Sequence, residues 1–448
     1  MNGDGVRVLI VGAGIAGLAA ARTLRAWGAT VEIVERLPTP AREGTGIYLP
    51  GNAVRALDVL GLGERVAERA VRIRRQRTAD HRGRPMFDVD VDDLWTGVGP
   101  CVALPRADLH EVLLAGIDEI PVRWGQGPQA LTVHYDGVTV TISGAPARYD
   151  LVLGADGVHS TVRQLIFGSG TIRHVGQHAR RFVVPAALEA DQAATWSVLL
   201  GSGSAFLTIP IGEGQVYCYC DGPLDDPPPM RDLLVAYAEP VPSLLDALAA
   251  IDGQSAVHAG AIEEVVLDCW SHGPVLLIGD AAHATSPNMA QGAAMALEDA
   301  IVLAASLTGA DGIVEALTAF EQRRRSRTDW VRAQTHRRDR ARTLPPCDPQ
   351  RGASPVRKAH VPRQLPAPAR AALTVDLSSC PRVSRPLTVS CVFLAAHHRH
   401  RTGREVTGAG PAGSRPVPRS PPAASSTSSS SGPGRPELAQ PRLGLPAS

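Results

Sequence analysis

A glycine-rich turn near the N-terminus has the residue types and spacing that bind a dinucleotide. Gly12, Gly14 and Gly17 follow a short apolar run and open a helical pattern, and Glu35 lies 18 residues after the third glycine, at the end of the next apolar run. Gly12 permits a tight turn, Gly14 lets a diphosphate approach the backbone, and Gly17 permits close packing of helix and strand. Glu35 can accept hydrogen bonds from a ribose diol. The pattern predicts a dinucleotide site and leaves NAD and FAD open.

Two later motifs each place an aspartate at the end of a predicted strand. Asp156-Gly157 comes shortly after the predicted strand 150–154, and Gly279-Asp280 follows the apolar run 275–278. An open α/β sheet binds its ligand beyond the carboxyl ends of its strands. We therefore expect both aspartates at the same ligand site as the glycine-rich turn.

The second motif leads through Pro287 and Gly292 into a long apolar helix predicted from Gln291 to Leu307. Backbone N–H groups at the start of a helix form the positive end of its dipole and favour an anionic group. His283 lies inside this motif without a paired acid or metal ligand, so we interpret it as a packing and hydrogen-bonding residue rather than a catalytic one.

These three motifs, in this order and spacing, resemble the class A flavoprotein monooxygenases, the single-component FAD aromatic hydroxylases related to p-hydroxybenzoate and salicylate hydroxylases. The resemblance covers about residues 6–345. It implies that FAD is the cofactor and that NADH or NADPH is the cosubstrate. It also implies that a C4a-hydroperoxyflavin formed with O2 hydroxylates or epoxidises a small aromatic or polyketide-like substrate.

The resemblance also suggests which residues bind the cofactor, position by position. They are Gly12, Gly14, Gly17, Glu35, Arg36, Arg106, Asp156, Gly157, Gly279, Asp280, Pro287 and Gly292. Arg106 is expected to pair with FAD oxygens, which suit the fork of a guanidinium group. The candidates for positions beside the flavin are Gly46, Tyr48, Pro287 and Gly292, with Tyr217 and Tyr219 as further pocket candidates. No catalytic acid or base and no metal ligand is assigned.

The pattern along the chain predicts an α/β fold with a Rossmann-like FAD-binding domain and an inserted, mostly antiparallel β-sheet substrate domain. Alternating runs separated by turn residues predict strands of this sheet at residues 182–185, 195–200, 205–211 and 215–221. Residues 1–175 and 271–345 are assigned to the FAD-binding domain with its C-terminal helix, and residues 176–270 to the substrate domain. The predicted helix from about Ile313 to Arg342 carries many arginines, which we expect to form a solvated face. Residues 346–448 are predicted to be a disordered Pro-, Arg- and Ser-rich tail.

The formal net charge of +1 combines two unlike segments. Residues 346–448 contain 14 basic and 4 acidic residues with 17 prolines, which leaves 31 basic and 40 acidic residues in residues 1–345. An acidic body gives no indication of a nucleic-acid-binding surface. The only lysine is Lys358, which suggests GC-rich coding, so the tail is also interpreted as a frameshifted or non-homologous extension. The other two reading frames of the nucleotide sequence would test that interpretation.

Cysteine usage and hydropathy place further bounds on the protein. The four cysteines of the body form no CxxC pair, so neither a disulfide framework nor a zinc site is indicated. No leader and no membrane-length apolar run is found, and we expect a cytoplasmic monomer or homodimer.

The inserted strands contain few charged residues, which favours a neutral aromatic or polyketide-like substrate. Two alternatives stay open: an FAD-dependent dehydrogenase or oxidase without oxygen insertion, and a catalytically impaired flavin-binding remnant.

Overall fold

The computed structural model describes residues 1–40, 45–168, 172–185, 188–201, 203–223 and 257–342. The predicted tail 346–448 and part of the predicted substrate domain, residues 224–256, lie outside the described residues.

The described residues form nine α-helices and one 3-10 helix, Pro287–Met289. The α-helices are α1 (Ile15–Trp27), α2 (Gly51–Val59), α3 (Gly63–Ala67), α4 (Val91–Leu94), α5 (Arg106–Leu114), α6 (Thr161–Phe167), α7 (Asp280–His283), α8 (Gly292–Thr308) and α9 (Ile313–Arg342).

Nineteen β-strands accompany them in the described residues. They are β1 (Arg7–Val11), β2 (Thr30–Glu35), β3 (Gly46–Leu49), β4 (Val71–Ile73), β5 (Arg75–Asp80), β6 (Pro85–Asp90), β7 (Cys101–Pro105), β8 (Val122–Trp124), β9 (Pro128–His134), β10 (Gly137–Ile142), β11 (Ala145–Tyr149), β12 (Leu151–Gly154), β13 (Ile172–Pro185), β14 (Thr195–Leu200), β15 (Ala205–Gly212), β16 (Gln215–Pro223), β17 (His258–Val265), β18 (Ser271–His272) and β19 (Val275–Leu277).

The central sheet has six strands in the order β18-β19-β12-β1-β2-β8. Its neighbouring strands are parallel except at the edge strand β18. Within β1, the side chains of Val8, Leu9 and Ile10 are completely buried, as expected of a parallel strand covered on both faces. Leu9 pairs with Val152 of β12 and Glu32 of β2. The carboxyl ends of β1, β2, β12 and β19 therefore lie at one edge of this sheet, where the three motifs follow them.

A second, seven-stranded sheet has the order β17-β13-β16-β15-β14-β5-β6. It is antiparallel except for the parallel pair β14 and β5. The alternating strands expected between residues 182 and 221 are confirmed in this sheet. Its β5–β6 hairpin comes from residues 75–90, a contribution that the sequence pattern had not revealed.

A small sheet of β3, β7 and β4 lies against the seven-stranded sheet. Ile73 and Ala103 of the small sheet share a buried apolar cluster with Ile209, Ile211 and Tyr217 of the large one. Because β3 contains Gly46 and Tyr48, this packing brings two of the predicted flavin-proximal residues under the second sheet.

No helix among the described residues is long and apolar enough to span a membrane.

Candidate functional site

The glycine-rich turn connects β1 to α1 and leaves open space before the helix. Gly12 has a φ of +108°, and a Cβ there would lie 2.4 Å from the carbonyl oxygen of Ala155. A Cβ on Gly17 would lie 1.9 Å from the carbonyl oxygen of Gly12. A Cβ on Gly14 would meet no atom within 4 Å. The first and third glycines are thus needed for packing, while the second faces space at a helix N-terminus, which suits a diphosphate.

Glu35 holds the turn in place from the end of β2. Its Oε2 accepts a hydrogen bond from the Ala13 backbone N–H at 2.8 Å, and its Oε1 accepts one from the Leu37 N–H at 2.9 Å. A carboxylate oxygen has a second acceptor position, so both oxygens can still accept from a ribose hydroxyl. The sequence pattern predicted the ribose contact but not this support of the turn.

Two residues near Glu35 were missed by the motif analysis. His110 of α5 lies with its Nε2 atom 2.7 Å from the Ala13 carbonyl oxygen. Gln126 follows β8, and its backbone N–H donates to the Glu35 carbonyl oxygen at 2.9 Å. The Gln126 Oε1 atom is buried without a hydrogen-bond partner in the part of the chain that the structure describes. A buried amide oxygen needs a donor, and an adenosine beside Glu35 would offer one.

Asp156 accepts hydrogen bonds at the start of helix α6, whose N-cap residue is Ser160. Its Oδ1 accepts from the Ser160 hydroxyl, and its Oδ2 accepts from the backbone N–H groups of Thr161 at 2.7 Å and Val162 at 3.2 Å. Burial raises the pKa of Asp156, and these hydrogen bonds oppose that shift. The adjacent Gly157 has a φ of +81° and faces open space. The Asp156 carboxylate therefore fixes the backbone conformation between its motif and the start of α6, apart from any contact with a ligand.

Three predicted cofactor-binding side chains are exposed: Arg36, Arg106 and Asp280. None of the three has a side-chain hydrogen bond or ion pair within the described residues. Gly279, with a φ of +59°, turns the chain so that Asp280 begins α7. A Cβ on Gly292, the first residue of α8, would lie 4.0 Å from the Asp280 Oδ1 atom and would meet nothing closer. Asp280 and the start of α8 thus border the same open space.

A buried ion cluster joins α8 to α9. It consists of Glu298, Asp299, Arg324 and Arg327, and Arg324 is only 1% exposed. Arg324 donates to Asp299 Oδ1 at 2.7 Å and to Glu298 Oε2 at 2.9 Å, and Arg327 donates to Glu298 Oε2 at 3.3 Å. The expectation of a solvated arginine face on this helix is therefore wrong at Arg324 and Arg327. Two buried carboxylates on α8 need cationic partners, because an unpaired buried charge is strongly destabilising.

The cationic side chains of the ion cluster stabilise the ionised form of its two buried carboxylates. Burial by itself would raise the pKa of Glu298 and of Asp299. Arg327 and Arg324 instead lower the pKa of Glu298, and His283 and Arg324 lower that of Asp299. Both carboxylates are therefore ionised at neutral pH.

Asp299 connects the ion cluster to the second aspartate motif. Its Oδ2 accepts from the Gly279 backbone N–H at 2.9 Å and lies 2.7 Å from the His283 Nε2 atom. The His283 ring also packs against Trp270, with ring centroids 5.1 Å apart. The expectation that His283 has no paired acid is therefore wrong, because Asp299 on α8 is its partner. The buried contacts with Asp299 and Trp270 agree with the packing and hydrogen-bonding interpretation of His283.

Gln291 connects the ion cluster to the start of α8. Its Oε1 accepts hydrogen bonds from Arg327 Nη2 and from Asn52 Nδ2, the latter at 3.1 Å. Asn52 also donates to Glu298 Oε1 at 2.8 Å. Pro287 begins the 3-10 helix just before this point. The segment from Pro287 to Gly292 is thus held by side chains from α2 and α9.

Aromatic residues gather where the small sheet meets the seven-stranded sheet. We define the aromatic face as Tyr48, Trp196, Tyr217 and Tyr219. The rings of Tyr48 and Trp196 lie 4.7 Å apart. A Cβ on Gly46 would lie 2.3 Å from the Tyr217 Cβ, so glycine is needed there for the two sheets to approach.

Two arginines lie near the phenol of Tyr217. Burial raises the pKa of Tyr217, and the charges of Arg181 and Arg106 act in the opposite direction. The Arg181 guanidinium also lies over the ring of Tyr219, 5.4 Å from its centroid. A protonated phenol and a guanidinium group both donate hydrogen bonds, so this part of the aromatic face suits an oxygen substituent.

Residues 5–335 match the protein family described as FAD binding domain. The chain belongs to the class A FAD-dependent monooxygenases. The enzyme is an oxidoreductase that uses FAD, with NAD(P)H as its cosubstrate. The expectations for family, fold class, cofactor and enzyme class are confirmed.

Characterised relatives and solved structures cover most of the same region. 2-Heptyl-3-hydroxy-4(1H)-quinolone synthase of Pseudomonas aeruginosa is 35% identical over 343 residues, which cover 73% of this chain and 87% of the relative. 3-Amino-4-hydroxybenzoate 2-monooxygenase of Streptomyces cremeus is 31% identical over 352 residues, which cover 75% of this chain and 86% of the relative. Klebsiella pneumoniae HpxO, solved in complex with FAD and uric acid, has a TM-score of 0.68 at 28% identity, covering 75% of this chain and 89% of that chain.

The residues at the sheet edge are compatible with FAD. A Cβ on Gly14 would enter open space at a helix N-terminus, which suits a diphosphate. Glu35 retains acceptor positions, and the exposed carboxylate of Asp280 can accept from hydroxyl groups. When bound, FAD takes reducing equivalents from NAD(P)H and transfers one atom of O2 to a substrate. The residues at this edge would bind and orient the cofactor.

Proposed function

We propose that this monooxygenase hydroxylates or epoxidises a neutral aromatic or polyketide-like substrate that carries an oxygen substituent and binds between the aromatic face and FAD. The aromatic face is the observation that carries the proposal. It combines stacking surface from Tyr48, Trp196 and Tyr217 with a few convergent donors, which is typical of small-molecule sites.

FAD is proposed to lie along the carboxyl edge of the central sheet. The diphosphate would bind at Gly14, the adenosine ribose at Glu35, and the ribityl chain or diphosphate at Asp280. Arg106 would pair with cofactor oxygens. The N–H groups at Gly292 would face the pyrimidine edge of the flavin, where a helix N-terminus stabilises the anionic reduced form. The remaining predicted contacts stay predictions; they are Gly12, Gly17, Arg36, Asp156, Gly157, Gly279 and Pro287.

The substrate class rests on the chemistry of the aromatic face. A dianionic substrate would need several cations to offset its desolvation, whereas the apolar cluster under the sheet consists of Ile73, Ile209, Ile211 and aromatic rings. Arg181 and the Tyr217 hydroxyl provide donors for one carbonyl or phenol oxygen. The quinolone and hydroxybenzoate named for the two relatives combine a ring with such an oxygen.

The test is a screen of substrate-stimulated NAD(P)H oxidation with purified, FAD-loaded protein, followed by product mass under labelled O2. We expect aromatic and heteroaromatic compounds with a phenol or ring carbonyl to stimulate oxidation, and the product to gain one labelled oxygen atom. A turnover product without labelled oxygen would refute monooxygenation and support a dehydrogenase or oxidase. Protein that binds FAD yet oxidises NAD(P)H only at the background rate with every compound would support a flavin-binding remnant.

Three further expectations stay predictions. These are the cytoplasmic location, the monomeric or homodimeric state, and the division into FAD-binding segments 1–175 and 271–345 around a substrate domain 176–270.

A further inference from the structure

We propose that Arg327 is a positioning residue that holds the start of α8 against the flavin and raises the reduction potential of bound FAD. The inference rests on the proposed function, because it places the pyrimidine edge of FAD at Gly292. It adds a role for α9, a helix that contributes no residue to the three motifs.

The contacts of Arg327 point to this role. Its Nη2 atom donates to the side-chain oxygen of Gln291, the residue that precedes α8, and its Nε donates to Glu298 Oε2 at 3.3 Å. Asn52 of α2 donates to the same Gln291 oxygen at 3.1 Å and to Glu298 Oε1 at 2.8 Å. Gln291 is 6% exposed and Arg327 is 4% exposed. The start of α8 is therefore fixed by a buried donor from α9 and a half-buried donor from α2.

One nitrogen of the Arg327 guanidinium, Nη1, takes no part in these contacts. The Nη1 atom of Arg327 is buried and has no hydrogen-bond partner in the part of the chain that the structure describes. A buried charged donor without a partner is costly. A nearby acceptor that arrives with the cofactor, directly or through a water molecule, would remove that cost.

The charge balance predicts the direction of the effect. Glu298 and Asp299 carry two negative charges, and Arg324 and Arg327 carry two positive charges. The positive charge of Arg327 lies beside the N-terminus of α8, so it adds to the helix dipole at the edge where reduced flavin carries its negative charge. Removal of Arg327 would leave the cluster with one excess negative charge, and removal of the Glu298 charge would leave one excess positive charge.

The experiment measures the two-electron reduction potential of bound FAD by equilibration with a redox dye, together with the dissociation constant of oxidised FAD. For Arg327→Met we expect reduced FAD to be disfavoured relative to oxidised FAD by about tenfold, which is a potential lower by about 30 mV. Glu298→Gln should shift the potential in the opposite direction. Arg327→Lys keeps the charge and should shift the potential by less than half as much as Arg327→Met.

Arg332→Met is the matched control, because Arg332 lies on the same helix and pairs with Asp329 at 2.8 Å at the surface. We expect it to leave the potential unchanged. Equal potentials for Arg327→Met and the unsubstituted protein would overturn the proposal, and so would a fall in potential for Glu298→Gln. Loss of FAD from all three cluster variants, with FAD retained by Arg332→Met, would assign the cluster a purely structural role and would also overturn it. Absence of FAD from the unsubstituted protein would instead refute the proposed function.

Discussion

Replacing Arg324 by methionine should destabilise the protein strongly, although Arg324 lies outside all three motifs. Its guanidinium donates to Asp299, to Glu298 and, at 3.2 Å, to the Met295 carbonyl oxygen. The two charge-assisted hydrogen bonds each contribute about 1.5–3 kcal/mol to the free energy of unfolding. Burial of the new methionine side chain would offset roughly 1.5 kcal/mol of their loss. The expected loss in the free energy of unfolding is therefore about 3 kcal/mol, in line with the cost of breaking a buried ion pair from one side.

The assay is urea unfolding followed by circular dichroism, with Arg332→Met as the control. Arg332 and Asp329 form an exposed pair on the same helix, and such a pair contributes about 1 kcal/mol or less. A loss below about 1 kcal/mol for Arg324→Met would refute the reasoning, because it would mean that Glu298 and Asp299 do not depend on Arg324.

The dependence on pH gives the same prediction a second readout. In the unsubstituted protein the pKa values of Glu298 and Asp299 are lowered. Their contribution to stability is therefore present above the ordinary carboxyl pKa of about 4 and is lost as the pH falls through the lowered values. In Arg324→Met we expect burial to raise both pKa values, so the variant gains stability relative to the unsubstituted protein as the pH falls from neutral to about 5. A difference in stability that stays constant over this range would contradict the assignment of the loss to these carboxylates.

Three further predictions concern the site itself. Gly14→Ala should fold normally but weaken FAD binding at least about tenfold, because its Cβ enters the open space at which we propose that the diphosphate binds. Gly17→Ala should instead cost about 1–3 kcal/mol of stability through overpacking against Gly12. Fluorescence titration with FAD and urea unfolding distinguish the two. Asp280→Asn should change the free energy of unfolding by less than about 0.5 kcal/mol while lowering the affinity for FAD, and unchanged affinity in the same titration would remove Asp280 from the cofactor site. Arg181→Met should raise KM for a substrate with a ring oxygen by about tenfold at unchanged FAD content, since it removes one charge-assisted hydrogen bond. A KM equal to that of the unsubstituted protein in steady-state kinetics would count against the proposed substrate orientation.

Local sequence patterns were sufficient to predict the strands and helices that carry the motifs. The run from Val6 to Val11, the three glycines and Glu35 predicted the β1–α1–β2 unit, because the tight turn and the close packing of helix on strand are local requirements. The helix from Ile313 to Arg342 was also predicted with its bounds, since no proline interrupts it and apolar positions recur along it. The antiparallel strands between residues 182 and 221 were predicted from alternation and turn residues.

Partnerships between distant segments were not visible in the sequence. The hairpin from residues 75–90 joins the second sheet through the pairing of β5 with β14, and short alternating segments do not specify a partner 120 residues away. The arginines of α9 were interpreted as solvated because their spacing alone cannot show which of them face carboxylates on α8.

The sequence by itself determined the family and the cofactor class, and it predicted the edge of the sheet at which we propose that the cofactor binds. Each depends on backbone conformations that particular residues require within a few positions. Only the tertiary structure decided that Glu35 supports the glycine-rich turn and that Arg324 and Arg327 are buried. These roles depend on which charges share a low-dielectric interior, and burial arises from the packing of segments far apart in the chain. The same packing determined the aromatic face, where β3 and β16 meet across Gly46.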